Sequence, residues 1–188
     1  MNERYPSSYA RARTLIHPGP FNPVRIQTKR ADRARHFRLL LAPGQNLFEA
    51  LVRPLAALGV ESASTTILGG MFERLEYCTA PPDPSRQAII RYTRPIESGR
   101  TWMVFGNATI GKNSTGEPLV HCHAAVRTQS GELKGGHIIT QTSVVGPTPI
   151  SVLVTSLDGF QLRVAFDPET NIPLIQPLDP AGKESFHE

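Results

Sequence analysis

One segment of this chain, and only one, carries the 3.6-residue period of an amphipathic helix. Almost everything after it carries strand signals. Leu47, Leu51, Leu55 and Leu58 recur at helical spacing, which predicts one buried helical face. Asn46 stands where an N-cap belongs, with Glu49 three residues on as its capping-box partner. Pro54 is expected to kink the helix or shift its end, and Gly59 to stop it. Upstream, His36–Leu41 reads as a strand closed by Pro43-Gly44. Downstream, strand patterns cover Val60–Leu68, Glu73–Cys78, Ala88–Thr93, Thr101–Ile110, Leu119–Thr128, Leu133–Thr142, Ile150–Ser156 and Gln161–Phe166, with Pro/Gly/Asp/Asn clusters between them. One helix followed by about eight strands predicts an α+β fold: a mainly antiparallel β-sheet with one principal helix near the start. The prolines at 173, 177 and 180 suggest an extended surface tail after Pro168.

A chain of 188 residues with 39% hydrophobic content is long enough for one domain with a real core. We divide it into a basic, weakly structured N-terminal arm (1–33), a folded domain (34–178) and a C-terminal tail (179–188). The net charge of +4 conceals an asymmetry. Residues 1–38 carry nine Lys/Arg against two acids, while the remaining 150 carry eleven against fourteen. The arm, with Arg25, Lys29, Arg30, Arg33 and Arg35, is therefore the candidate contact for phosphates or another anionic partner. Its contacts would be to backbone phosphates without sequence readout, so any DNA bound there is expected to be bound non-specifically. Two cysteines, Cys78 and Cys122, make no disulfide framework and point to a reduced, cytoplasmic setting. Met1-Asn2-Glu3-Arg4 is followed by no apolar run of signal-peptide type. No apolar stretch approaches the ~20 residues of a membrane helix, so no membrane association is expected.

Three of the six histidines fall within 17 positions, in His121-Cys122-His123 and Gly135-Gly136-His137. Strand residues i and i+2 share a face, so His121 and His123 project together and Cys122 points to the opposite, buried side. The intervening segment reads as two strand arms around a turn at Ser130-Gly131. A pairing sum of 260 sets His137 opposite His123. A two-residue loop misses that register by one, whereas a three-residue loop or a bulge at Gly135-Gly136 restores it. Three neutral imidazoles at one point suit zinc, or nickel, iron or copper. Three protein ligands leave a coordination position open, as in catalytic or ligand-binding centres.

Two segments bear a family resemblance. Phe37-Arg38-Leu39-Leu40-Leu41-Ala42-Pro43-Gly44-Gln45-Asn46-Leu47 resembles the opening strand, loop and helix start of the PPC/PCC domain. His121-Cys122-His123-Ala124 through Gly131 to Gly135-Gly136-His137-Ile138 is similar to the bacterial signature of that family, and Gly59-Val60 to Gly69-Gly70 fits its second strand. The resemblance spans roughly residues 34–167. It implies an α+β fold and a homotrimer with the histidines near a subunit boundary. Plant members carry the domain behind AT-hook motifs, and bacterial members are often labelled DNA-binding; this chain has no Arg-Gly-Arg-Pro core. The same histidine arrangement also looks like the zinc site of acetolactate decarboxylase, which would make His121, His123 and His137 the ligands. That enzyme needs an acid and an arginine, for which Glu73, Glu76, Arg91 and Arg94 are the candidates of the right type.

Three functional readings result. One is a DNA-associated or regulatory trimer with a three-histidine metal site. Another is a metal-dependent lyase or hydrolase acting on a small oxygen-rich acid. The third is a small-molecule sensor that uses the same pocket.

Overall fold

The structure is a computed structural model that describes residues 15–24 and 27–179. Helix α1 (Leu47–Ala57) forms where the leucine period places it. The Asn46 side-chain oxygen accepts from the Glu49 N–H at 2.8 Å, satisfying one of the donors that a helix start leaves open. The reciprocal half of the capping box does not form, because the Glu49 carboxylate turns to Arg53 one turn on. Leu47, Ala50, Leu51 and Leu55 are buried. Leu58, expected on the same face, is instead the exposed C-cap residue. The helix continues for three residues past Pro54 and ends at Gly59, whose φ of +65° suits glycine.

Ten strands follow the chain order β1 (His36–Leu41), β2 (Ala63–Ile67), β3 (Gly70–Cys78), β4 (Ile96–Lys112), β5 (Pro118–Thr128), β6 (Leu133–Ile138), β7 (Val144–Val145), β8 (Ile150–Ser156), β9 (Gln161–Asp167) and β10 (Ile172–Leu178). They build one sheet with the path β1-β8-β2-β4-β5-β6-β3-β7, and β3 also pairs with β4, so β3, β4, β5 and β6 close into a ring. The pairings are antiparallel, apart from a single parallel contact of β9 with β4 at Lys112 and Arg163. The mainly antiparallel α+β architecture expected from the sequence is the one observed.

The strand expected over Leu133–Thr142 stops at Ile138 and the short β7 follows it unannounced, and two further stretches differ from the sequence reading. Ala88–Thr93 is not a strand but part of the loop between β3 and β4, within which Pro82 and Ile90 form an isolated bridge. Its organiser is Asp83, buried in the loop. The Asp83 carboxylate accepts from the N–H groups of Ser85, Gln87 and Ala88, each at 3.1 Å, and from the Ser85 hydroxyl at 2.5 Å. The second difference is the segment after Pro168, which forms β10 and pairs with β9 along its whole length. Pro173 and Pro177 fit there because β10 has β9 as its single strand neighbour and leaves its other edge unpaired.

Residues directly opposite in a ladder share a face, so the register defines two sides of the sheet. One row runs Val154, Thr65, Ala108, Cys122, Ile138, Tyr77 across successive strands. Every member is buried, and this side packs with the leucines of α1. The neighbouring row runs Leu153, Thr66, Asn107, His123, His137, Cys78 and faces the other way.

That second side is partly roofed by the β9–β10 hairpin. The hairpin is fixed at its root by Ser62, whose hydroxyl accepts from Leu162 N–H at 3.0 Å and whose carbonyl accepts from Leu157 N–H at 2.8 Å. It crosses β4 at Gly111, where a Cβ would stand 2.4 Å from the Leu162 carbonyl oxygen. Its far turn is tied to the Asp83 loop by Ile89 N–H donating to Thr170 O at 2.9 Å. No helix among the described residues is long and apolar enough to cross a membrane.

Candidate metal centre

The β5–β6 hairpin sets the histidines. Its register pairs His123 with His137, Cys122 with Ile138 and Ala124 with Gly136, the pairing sum of 260 anticipated from the sequence. The turn that delivers it is a three-residue loop, Gln129-Ser130-Gly131, closed by Thr128 N–H donating to Glu132 O at 3.0 Å. Gly135 and Gly136 are not a bulge: the register runs through them without a shift. They are glycines because other backbone comes too close. A Cβ on Gly135 would lie 2.6 Å from the Ala124 carbonyl oxygen, and one on Gly136 would lie 2.4 Å from that of Cys78.

The three imidazoles therefore converge on one patch of the outer face. Ring centroids are 4.8 Å apart for His121–His123, 4.6 Å for His121–His137 and 5.6 Å for His123–His137. One nitrogen from each lies within 4.8 Å of the others. Zinc bound tetrahedrally at ~2.0–2.1 Å needs N···N separations of about 3.3 Å. Ring rotations that draw the widest pair in by about 1.5 Å complete that geometry. Nδ1 of His137 is buried and has no hydrogen-bond partner, an arrangement that costs about 1–3 kcal/mol unless something binds there. Burial, then the proximity of His137 and His123, pushes His121 down to about 4. Burial and then His123 lower His137 as well. Both rings are thus neutral at pH 7, the state in which imidazole binds a metal. The residues present fit a divalent transition metal.

The other histidines are elsewhere. His17 Nδ1 meets Glu169 Oε1 at 2.7 Å, His36 Nδ1 meets Thr155 Oγ1 at 3.1 Å, and His187 lies outside the described residues. Cys122 points into the core, as alternation requires, and burial pushes its thiol up to about 12.

The histidines line a cavity of about 1000 Å³, of which the β9–β10 hairpin forms another wall. Leu162, Val164, Ile172 and Ile175 line that wall, while Tyr92 and Cys78 flank His137. Sequence reasoning missed Tyr92, whose ring centroid lies 5.3 Å from that of His137. It sits in the loop that was read as a strand, and the signal that would have found it is the Asp83-x-Ser85 turn. The cavity lining among the described residues contains no aspartate, glutamate, lysine or arginine.

The four charged candidates are engaged away from it or stand exposed. Glu73 pairs with Arg100 at 2.7 Å, Arg91 with Asp83 at 3.3 Å, and Glu76 with Arg74, while Arg94 is exposed. In the arm, Lys29 pairs with Asp179 at 2.6 Å and Arg30 with Asp32 at 3.1 Å. Arg35 is held by both carboxylate oxygens of Asp158, at 2.8 and 3.0 Å, and donates to Leu58 O at 2.8 Å. Among the described residues Arg33 is exposed and has no carboxylate partner; Arg25 lies outside them.

No curated protein matches the sequence. Among solved structures, a metal-containing protein from Archaeoglobus fulgidus aligns with a TM-score of 0.65 and 19% identity, over 80% of this chain and 99% of that one. A "Putative DNA-binding protein" from Ralstonia eutropha JMP134 aligns at 0.60 and 21%, over 74% and 89%. A plant- and prokaryote-conserved (PPC) protein of Pyrococcus horikoshii aligns at 0.59 and 18%, over 79% and 94%. At such identities the likeness is one of fold. Residues 28–158 match the Plants and Prokaryotes Conserved (PCC) domain, which takes in α1, the sheet from β1 to β8 and all three clustered histidines. The chain belongs to the PCC domain family.

Proposed function

We propose that this chain is a regulatory PCC-domain protein that holds a divalent transition metal, zinc foremost, on His121, His123 and His137. The open coordination position then takes an oxygen atom of a small-molecule ligand. The observation that carries the reading is the convergence of three imidazoles, nitrogens within 4.8 Å, in the lining of a cavity large enough for such a ligand. The metal-containing relative from Archaeoglobus fulgidus supports it. Binding is favoured over turnover because lyase or hydrolase chemistry of the acetolactate decarboxylase type asks for an acid and an arginine, and this chain's cavity lining supplies neither. A metal-dependent enzyme remains the second reading if a partner subunit brings those groups.

We propose further that the protein is a homotrimer and works in the cytoplasm. Trp102, Val104 and Phe105 on β4, exposed together where a bulge interrupts the pairing with β5, support an oligomeric contact. Association with DNA is the accompanying proposal. It is supported by the DNA-binding name of the Ralstonia eutropha protein and by the basic composition of the arm. With Lys29, Arg30 and Arg35 in ion pairs, such contacts fall to Arg33 and to residues such as Arg25.

Elemental analysis of the untagged protein beside His137→Ala tests the metal. A stoichiometric transition metal in the parent, lost in the variant with the oligomer intact, is expected; no metal in either after incubation with zinc refutes it. DNA affinity that falls steeply with salt and disappears on removing residues 1–33 is expected of the DNA proposal. Salt-insensitive or absent binding refutes that part alone.

A further inference from the structure

The cavity beyond the histidines is chemically lopsided. Its lining joins three imidazoles that fit a metal to a wall of aliphatic side chains. The wall is the β9–β10 hairpin, residues 161–178, which lies beyond the 28–158 match to the PCC domain. It is a built wall and no loose tail. Ser62 holds its root, Gly111 makes room for its crossing, and the Thr170–Ile89 bond holds its tip. Leu162 and Val164 share one face of β9, and Ile175 lies opposite Val164 on β10.

Resting on the metal reading above, we infer that this cavity selects a monocarboxylate with an uncharged aliphatic body. The carboxylate reaches the metal beside His121, His123 and His137, and the chain lies against Leu162, Val164, Ile172 and Ile175. Two arguments fix that class. Three neutral imidazoles leave the metal's double positive charge uncompensated, so one anionic oxygen group is welcome there. A second charge further along the ligand would meet no lysine or arginine in the lining, and setting it unpaired against the aliphatic side chains is disfavoured. The volume argues the same way. About 1000 Å³ is at the upper end of small-molecule sites, so a two-carbon acid would leave the aliphatic wall uncovered.

The test is calorimetric titration of zinc-loaded, full-length protein with acetate, butanoate, hexanoate and octanoate, and with octanedioate as the equal-length dicarboxylate. Zinc content is measured separately by elemental analysis. Affinity is expected to rise about fourfold per methylene along the series, with octanedioate at least tenfold weaker than octanoate. Stripping the zinc should abolish octanoate binding. Leu162→Asn should flatten the series at unchanged zinc content; if that variant does not fold, the near-isosteric Val164→Thr asks the same question of the same wall. Zinc uptake with a flat series in the parent protein, or with octanedioate binding as tightly as octanoate, overturns the inference. Absence of zinc uptake instead overturns the metal reading on which it rests.

Discussion

Gly136→Ala is the substitution with the sharpest structural consequence. A Cβ there would sit 2.4 Å from the Cys78 carbonyl oxygen, whereas real Cβ contacts essentially never fall under 3.0 Å. Strands β3 and β6 must therefore separate by about 0.6 Å. Their pairing consists of two residue pairs, Tyr77 with Ile138 and Cys78 with His137, so there is little ladder to absorb the shift. Losing two hydrogen bonds at about 1 kcal/mol each, with one buried group left unsatisfied at about 1–3 kcal/mol, predicts a destabilisation of about 3–5 kcal/mol. For a domain of this size that lowers the thermal midpoint by about 10 °C. The control is Gly131→Ala. Gly131 has φ +84° but its nearest neighbour is the end of the Arg127 side chain at 3.7 Å. Its cost is the left-handed backbone alone, about 1–2 kcal/mol, reduced by the lower entropy of the unfolded chain. Urea unfolding followed by circular dichroism measures both. Because the Gly136 shift also moves His137, zinc affinity should fall in Gly136→Ala and hold in Gly131→Ala. Equal destabilisation of the two variants would refute the reasoning.

Two further outcomes follow from the supports of the site. The hydrogen bonds of Ser85 and the loop N–H groups hold Asp83 down to about 2 from its ordinary 3.8. A lowered carboxylate contributes fully above its unfolded value and loses that contribution as pH falls through about 2. Asp83→Asn should therefore be less stable than the parent at pH 7 and should lose less stability between pH 4 and 2, read from thermal midpoints across that range; parallel curves would contradict the role. Ser62→Ala removes the acceptor for the Leu162 N–H. It should cost about 1–3 kcal/mol and loosen the hairpin, seen as faster amide exchange in β9 than in β8; unchanged exchange would show that the hairpin is held otherwise.

Much of the site was legible because its determinants are local. His121 and His123 share a face by strand period, and the three-residue turn at Gln129-Ser130-Gly131 carries the register to His137. Gly135-Gly136 was visible but for another reason than the one assigned: the approach of Cys78 O is made by β3, more than fifty residues earlier in sequence, and no local pattern reveals it. Ala88–Thr93 looked like a strand because its apolar run is genuine, yet the carboxylate of Asp83 draws the backbone into a loop first. β10 was hidden by Pro173 and Pro177, which read as a tail unless the strand is known to be an edge. The cavity itself is a meeting of β2, β3, β4, β5, β6, that loop and the hairpin, and so could be read only from the fold.

The pairing of β1 with β8 sets the order of events when the chain is made. His36–Leu41 has no strand partner until Ile150–Ser156 has been synthesised, roughly a hundred residues later, an interval of about 5–20 s at ordinary rates of translation. Until then the leucines of α1 lack Ile150, Val152 and Val154 from the core they share. The loop-closure entropy of so distant a pairing places the domain among slow folders. The hairpin arrives later still, so a chain truncated before residue 160 would expose the histidine patch and leave Ser62 without the Leu162 N–H it binds. This protein's cavity is thus the last part of it to come into being.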